Sequence, residues 1–453
     1  MRVLIQMRPE RDAVAAVIDP NVRMTAEEVA GPVPGVELDP SYAPVAAPKP
    51  RPAAEGGDPL SLEQPLTFSM TPQDASVLVR GTIHDYDSAS RLAMLAVTRP
   101  DIISVSADPV ISAMPTCGGD PPVGDWKDVE HFLAELRAEG LEGANVPVAV
   151  LDTGINAQHL KKELNGRTVN IDAARSWNPP GVVGQPGQFE VGHGTMCAFD
   201  ALIAAPKATL LDLPVLLSEH QGSTLMNGLL SDAVAAYSHL WGLLDAMDQD
   251  RRALVVSNSW GSFSPQWDFP PGHPGNYSDN PAHPFNLMVT ALESAGADVL
   301  FAAGNCGRDC QDGRCEFPDR PIVGANSHPR VLSIGGVDTR RDRVGYSSQG
   351  PGRLSRRKPD ICAYTHFEGS HAFGPGEPDS GTSAACPVAA GVVAAIRSEW
   401  PFGSLPPSQM RTLLRRTADD RGAAGFDNNY GYGIISAPAI MDALRRRKKN
   451  GFR

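Results

Sequence analysis

The chain has no long apolar run: nothing in its 453 residues approaches the ~18 uninterrupted apolar residues that a membrane-spanning helix needs. It has no surplus of positive charge either. With 40 Lys and Arg against 52 Asp and Glu, the formal net charge of -12 argues against nucleic acid or an anionic membrane as a main partner. No G-x-x-x-x-G-K-[ST] loop is present, so a nucleotide-hydrolysing reading has no support. Cysteine is scarce and odd in number, seven in all, and no two stand at C-x₂-C spacing. That usage fits a reducing compartment better than a disulfide scaffold or a paired zinc site. The opening MRVLIQMRPERD meets charged residues at once, and its apolar stretch is short for a secretory h-region. The expectation is therefore a cytoplasmic protein.

What the chain does have is enough apolar material, 42% of residues, to bury a large core. Its first 115 residues read as a small α+β unit. MRVLIQM, Leu66 to Met70, Val77 to Ile83 and Asp101 to Val105 have strand character, while ERDAVAAVI and Ser88 to Val97 have helical spacing. Eight prolines between Pro32 and Pro59 mark a loop or extended insertion, over about 30–62. A Gly/Pro-rich junction at 116–124 leads to a larger unit, 125–453, in which strands and helices alternate. Buried-type strands fall at Val148 to Leu151, Ala208 to Leu213, Leu254 to Ser257, Val299 to Ala302 and Val331 to Ile334. Helices are expected at His193 to Ala204, Leu225 to Met247, Phe285 to Ala295, Ser383 to Trp400, Pro407 to Thr417 and Pro438 to Arg446. This alternation predicts an α/β fold, a mostly parallel sheet with helices on both faces. Sites in such sheets form at the carboxyl ends of the strands.

Three strings stand at such ends or at helix starts: LDTGIN around Asp152, GHGT around His193, and DSGTSAACPVAAG around Ser383. A hydroxyl is a poor nucleophile until a base takes its proton, and the base works best when a carboxylate holds its tautomer. Asp, His and Ser are the residue types that arrangement requires. Asp-Thr-Gly also begins the catalytic turn of aspartic proteases, and Asp379-Ser380-Gly381-Thr382 offers a second such turn. That alternative needs two facing turns in a two-lobed β fold. Here the second runs into a helical sequence.

Taken together with SNSWGS at 257–262, FAAGN ending at Asn305 and NNYGYGIISAPAI near the C-terminus, the order Asp, His, Ser resembles the subtilisin-like serine proteases, the subtilases, over roughly Val148 to Ile440. The resemblance implies a serine endopeptidase acting through an acyl-enzyme, with Ser383 as nucleophile, His193 as general base and then acid, and Asp152 as its orienting carboxylate. It also makes Asn305 a donor to the oxyanion. Ser259, Trp260 and Gly261 match the strand that pairs with an extended substrate, and Ala302, Ala303 and Gly304 match one wall of the pocket before the scissile bond. A peptide or protein is the implied substrate. The N-terminal unit resembles a subtilase propeptide, whose tail, ISVSADPVISAMPTC, would lie in the cleft as an intramolecular inhibitor until self-processing. A peptide ligase or macrocyclase using the same acyl-enzyme, and a catalytically silent peptide-binding protein, are the competing readings. No cofactor is required for the chemistry. Structural calcium is compatible with the resemblance, but no run has a definite ligand spacing.

Other features read as structural. Cys306, Cys310 and Cys315, beside Asn305, are open to three states: free thiols, which a cytoplasmic protein favours, a disulfide, or metal ligation. The aromatic, Pro-rich stretch Phe263 to Phe285, with His273 and His283, reads as a surface loop. His366 and His371 read as solvated loop histidines, and Arg445 to Lys449 as a solvated helix end.

Overall fold

The structure is a computed structural model that describes residues 1–52, 66–84, 98–114, 116, 121–219, 226–310, 313–317 and 319–449. Its centre is a seven-stranded parallel sheet. Across it run Asn170–Ile171, Thr209–Leu213, Pro147–Leu151, Leu254–Asn258, Ala297–Ala302, Leu332–Val337 and Ile361–Tyr364. The five strands expected from the sequence lie within one to three residues of those found. Ile361–Tyr364 and the short Asn170–Ile171 complete the sheet. Pro147–Leu151 carries no polar side chain, and Leu254–Asn258 is apolar until Ser257 and Asn258 at its carboxyl end, because both sheet faces are covered. Helices His193–Ala204 and Thr382–Arg397 pack on one face with Val148, Val150, Val255 and Leu300. Leu230–Asp245 and Pro284–Ser294 pack on the other with Ala149, Leu151, Val256 and Phe301. The chain enters the sheet at Pro147–Leu151, runs to the edge strand Asn170–Ile171, comes back to place Thr209–Leu213 between them, and then adds Leu254–Asn258 on the other side. A crevice therefore opens at the carboxyl ends of these central strands.

The N-terminal unit is a five-stranded antiparallel sheet. Ser76–Thr82 and Ile102–Ala107 flank Arg2–Met7, and Glu37–Leu38 and Val45–Ala47 pair with the outer side of Ser76–Thr82. The Pro-rich segment is thus not simply an extended insertion. Its prolines up to Pro52 sit between short strands and at the edge, where a missing N–H breaks no ladder, and the rest of the segment lies outside the described residues. The helix expected over Ser88 to Val97 lies outside the described residues.

The stretch after Phe263, expected as a surface loop, is exposed at Pro265, Gln266 and Pro270 to Gly272, but Asp268, Phe269, Tyr277, His283 and Phe285 are buried in a seam between the two units. One carboxylate organises it. Asp268 accepts from the backbone N–H groups of Phe269, Tyr277 and Ser278 at 2.8–2.9 Å and from Ser278 Oγ at 2.7 Å. Phe269 joins the core of the N-terminal unit beside Val3, Ile5 and Val77. His283 is fully buried; its Nε2 donates to the Ala107 carbonyl at 2.9 Å while its Nδ1 accepts from Phe285 N–H at 3.2 Å. Burial lowers its pKa to about 4, so it stays neutral and keeps both bonds. A few residues away, Asp108 accepts from Ser231 N at 2.7 Å and Ser231 Oγ at 2.8 Å, capping the helix that opens at Leu230. Arg80 reaches the same place, pairing with Asp39 and Asp232. These groups lock the small unit onto the large one.

Candidate active site

Asp152 follows directly on the Pro147–Leu151 strand, where the chain turns sharply through Gly154 at φ 91°. The His193 helix begins against that turn. Gly194 N–H donates to Thr153 Oγ1 at 2.9 Å, and Asn156 N–H donates to Thr195 Oγ1 at 3.0 Å. A β-carbon on Gly194 would stand 2.5 Å from the Gly154 carbonyl oxygen, so glycine is what permits the approach. The result is a bond of 2.8 Å between Asp152 Oδ1 and His193 Nδ1. A carboxylate only accepts, which places the ring proton on Nδ1 and leaves Nε2 free to act as a base.

Ser383 stands at the start of the Thr382–Arg397 helix, one residue after the positive-φ Gly381. The helices that open at His193 and at Thr382 cross closely because Gly391 lets the Ala201 carbonyl in; a β-carbon there would lie 2.2 Å from it. Ser383 Oγ donates to the Ser259 carbonyl at 3.3 Å, and the Ser383 carbonyl accepts from Ser259 Oγ at 2.9 Å. Cys197, one turn along from His193, ties the constellation together. Its Sγ donates to Asp152 Oδ2 at 3.5 Å and to the Ser383 carbonyl at 3.5 Å. Burial and then the Asp152 charge push the thiol's pKa far up, so it remains a donor. Among the described residues, Asp152, His193 and Cys197 are the group whose ligand atoms lie close enough to hold a metal ion, within 4.8 Å of one another. Their contacts to each other already account for the clustering.

Asn305 follows the Ala297–Ala302 strand. Its Oδ1 accepts from Thr382 N–H at 2.9 Å and Thr382 Oγ1 at 3.0 Å, which leaves the Nδ2 amide turned outward as a donor. Nδ2 donates to the carbonyl of Met114, in the tail of the N-terminal unit, at 2.8 Å. The tail lies in the cleft as a strand. Ser112 exchanges both backbone bonds with Gly261, at 3.0 and 3.1 Å, and Val110–Ser112 pairs on its other side with Asn227–Leu229. Ala302, Ala303, Gly304, Ser259, Trp260 and Gly261 line a small pocket around Met114. Asn326, to which no motif pointed, joins its two walls by donating to the Trp260 carbonyl at 2.8 Å and the Ala302 carbonyl at 2.9 Å. A larger cavity of about 710 Å³ lies away from this chemistry, between the two units beside Ser104 and His273.

Two further buried carboxyl groups lie near the site, Asp212, which no motif pointed to, and Asp379, which the sequence offered only as a second Asp-x-Gly-Thr turn. Asp212 Oδ2 accepts from Ile155 N–H at 3.1 Å and Gly187 N–H at 2.8 Å, fixing the turn that carries Asp152. Burial raises its pKa to about 7 against those bonds. Asp379, in the loop before Ser383, holds Ser370 and is likewise raised to about 7 by burial.

Several expectations are corrected. Cys306 and Cys315 are joined by a disulfide and Cys310 is disulfide-bonded too, so this trio does not consist of free thiols. His366 is buried rather than solvated, and His371 pairs with Glu163 and Glu368. The basic end of the last helix is exposed, as expected, with Arg445 paired to Glu139 and Lys448 to Glu399 at the surface.

With this geometry in place, comparison with known proteins is decisive: residues 143–433 match the family model described as the subtilase family, Peptidase_S8. The chain belongs to the subtilase family. It is accordingly a serine endopeptidase, a hydrolase of peptide bonds. Among similar proteins, subtilisin DY of Bacillus licheniformis is 27% identical over 311 residues, covering 67% of this chain and 94% of that relative. Serine protease AprX of Bacillus subtilis (strain 168) is 28% identical over 350 residues, covering 68% and 69%. Fervidolysin of Fervidobacterium pennivorans is 25% identical over 321 residues, covering 67% of this subtilase and 41% of its own length. The crystal structure of fervidolysin, a keratinolytic enzyme related to subtilisin, superposes with a TM-score of 0.58 at 17% identity, over 97% of this chain and 60% of that one. That likeness supports the fold. Among the described residues, no helix is long and apolar enough to cross a membrane.

Proposed function

We propose that this subtilase hydrolyses extended peptides at Ser383 and is held in check by its own N-terminal segment, residues 1–115, until it processes itself in the 116–124 junction. One observation carries the reading: a peptide carbonyl, that of Met114, already sits on the Asn305 amide while its chain pairs with Gly261 as a bound strand would. In the reaction His193 takes the Ser383 proton, Ser383 Oγ adds to the substrate carbonyl, and Asn305 stabilises the negative oxygen that forms. His193 then returns the proton to the leaving amine, and water completes the turnover. Backbone pairing binds any extended chain, so selectivity falls to the side-chain pockets. Tethering gives the segment an effective concentration up to the millimolar range, which keeps the cleft mostly closed even at modest intrinsic affinity.

The chemistry uses side chains and backbone amides alone, and structural calcium remains a separate expectation with no ligand set assigned. The Cys306–Cys315 bond favours an oxidising compartment over the cytoplasm expected from the cysteine count. A fluorophosphonate probe tests the core of the reading. It should attach to Ser383 in the wild-type chain and not in His193→Ala; equal labelling of the two would refute the triad.

A further inference from the structure

The cavity of about 710 Å³ between the two units is walled by residues that the chemistry at Ser383 does not use. The N-terminal unit supplies Gln6 and Arg8 at the end of its first strand, Lys49, and Ile103 and Ser104 on the Ile102–Ala107 strand. The large unit supplies the loop 272–282 and Leu287 of the Pro284–Ser294 helix. The volume falls within the ~300–1,000 Å³ of small-molecule sites. Because the two walls come from different units, the cavity exists only while they are docked.

Most of the lining side chains are polar, yet nearly all of them are already engaged. Gln6 Nε2 donates to Ser76 Oγ at 2.7 Å, and its Oε1 accepts from Ser104 Oγ at 3.3 Å. Asn276 and Asn280 donate to the Phe269 and Pro274 carbonyls, each at 2.5 Å. Both carboxylates on the walls are held, Asp74 by the hydroxyls of Ser69 and Thr71, each at 2.9 Å, and Asp279 by Arg353 at 3.0 Å. Two cations are the exception. Among the described residues, the side chains of Arg8 and Lys49 have no hydrogen bond or ion pair. His273 adds a third donor, since its Nδ1 accepts from Gly275 N–H at 3.0 Å and the ring proton is thereby placed on Nε2. Between these groups the surface is largely carbon, and Ile103 is left 48% exposed on it.

We propose that this cavity binds a free amphiphilic anion, an aliphatic chain ending in a carboxylate or phosphate head, and that its occupancy clamps the N-terminal unit onto the large one. Arg8 and Lys49 meet the head, because no protein group neutralises their charges. The chain covers Ile103, Pro274, Ala282 and Leu287 and removes their apolar surface from water. A sugar or a nucleobase fits worse, because it gives up hydrogen bonds to water that these engaged walls cannot replace. The clamping half of the proposal rests on the N-terminal segment being the restraint. A ligand held only by the docked form lowers the ratio of open to closed cleft by the factor 1 + [L]/Kd, about tenfold at ten times Kd.

The experiment is calorimetric titration of decanoate into the full chain carrying Ser383→Ala, beside fluorophosphonate labelling of the wild-type chain. One equivalent of decanoate should bind, and 1-decanol, with the same chain and no charge, should bind at least about tenfold more weakly. The double variant Arg8→Gln, Lys49→Gln and the single variant Ile103→Asp should each weaken decanoate at least about tenfold, whereas Lys161→Gln, outside the cavity, should leave it unchanged. No saturable binding up to ~1 mM, or equal binding by the double variant, would overturn the site. Phosphatidylglycerol vesicles should not displace decanoate; displacement would make the site a membrane contact and overturn the free ligand. Decanoate at ten times its Kd should slow labelling of Ser383 about tenfold in the wild-type chain and leave it unslowed in the double variant. Unchanged or faster labelling of wild type would overturn the clamp. Should Ser383 take no label in any sample, the endopeptidase reading falls, while the titration still decides the site.

Discussion

Replacing Ile111 by alanine should open the cleft. The Ile111 side chain is fully buried against the helix that begins at Leu230, whereas its backbone partners are untouched by the change. Truncating a buried isoleucine to alanine costs about 2–5 kcal/mol, the lost transfer energy plus that of the cavity left behind. Because this burial exists only while the tail is docked, most of the loss appears in the docking equilibrium. At ~1.4 kcal/mol per decade, the ratio of open to closed cleft should rise roughly 30-fold to several thousand-fold. The assay is the rate at which full-length chain hydrolyses a small chromogenic peptide, or the rate of fluorophosphonate attachment to Ser383. Ser112→Ala is the internal control, since Ser112 binds Gly261 through its backbone and its hydroxyl donates to the neighbouring Ala113 carbonyl. It should change the rate by no more than about threefold, within the ±0.5 kcal/mol typical of such sites. Equal rates for Ile111→Ala and wild type, or for Ile111→Ala and Ser112→Ala, would refute the assignment of the tail as the restraint.

Three further outcomes are expected. Gly194→Ala should lower turnover at least tenfold with the fold retained, because its β-carbon must displace the Gly154 carbonyl and with it the turn that holds Asp152 on His193; steady-state kinetics beside circular dichroism separate the two effects. Asp212 has its pKa raised to about 7 in the folded chain, so the native state binds the extra proton, and its contribution is full below the ordinary carboxylate range and is lost as pH rises through about 7. Asp212→Asn keeps an acceptor for Ile155 and Gly187, and its melting temperature relative to wild type should therefore climb between about pH 4 and pH 7 and level off above; a pH-independent difference would contradict this. Protein recovered without reductant should yield Cys306 and Cys315 on linked peptides in mass mapping, and finding both freely alkylated would return the protein to a reducing compartment.

The sheet strands were legible because parallel strands covered on both faces are short, nearly unbroken apolar runs. Asp152, His193, Ser383 and Asn305 were legible for a different reason: each is flanked by glycines or small residues that the backbone needs at a close approach, as at Gly154, Gly194 and Gly381. The helix over Trp126–Phe132 and the strand Ile361–Tyr364 went unread, the first beside a Pro/Gly-rich junction and the second among polar and basic neighbours that mask its four apolar residues. Asn326, Cys197 and Asp212 carry no local signal at all. Each acts on a segment distant in sequence, and nothing in an isolated string says which carbonyl or amide it will meet.

The sequence by itself determined the proposed chemistry, since the candidate nucleophile, base, carboxylate and oxyanion donor are residue types in turns whose glycines are local requirements. Tertiary structure alone decided where the rest went. The aromatic stretch after Phe263 is surface-like by its prolines and polar residues, and those prolines before Asn276 are exposed, yet Phe269 is buried because the N-terminal sheet brings it a second apolar face. Cysteine pairing depends on which β-carbons the loops bring within reach, as for Cys306 and Cys315. The tail between Val110 and Met114 has no motif, and its register comes from meeting two strands and an amide that lie more than a hundred residues further along the chain.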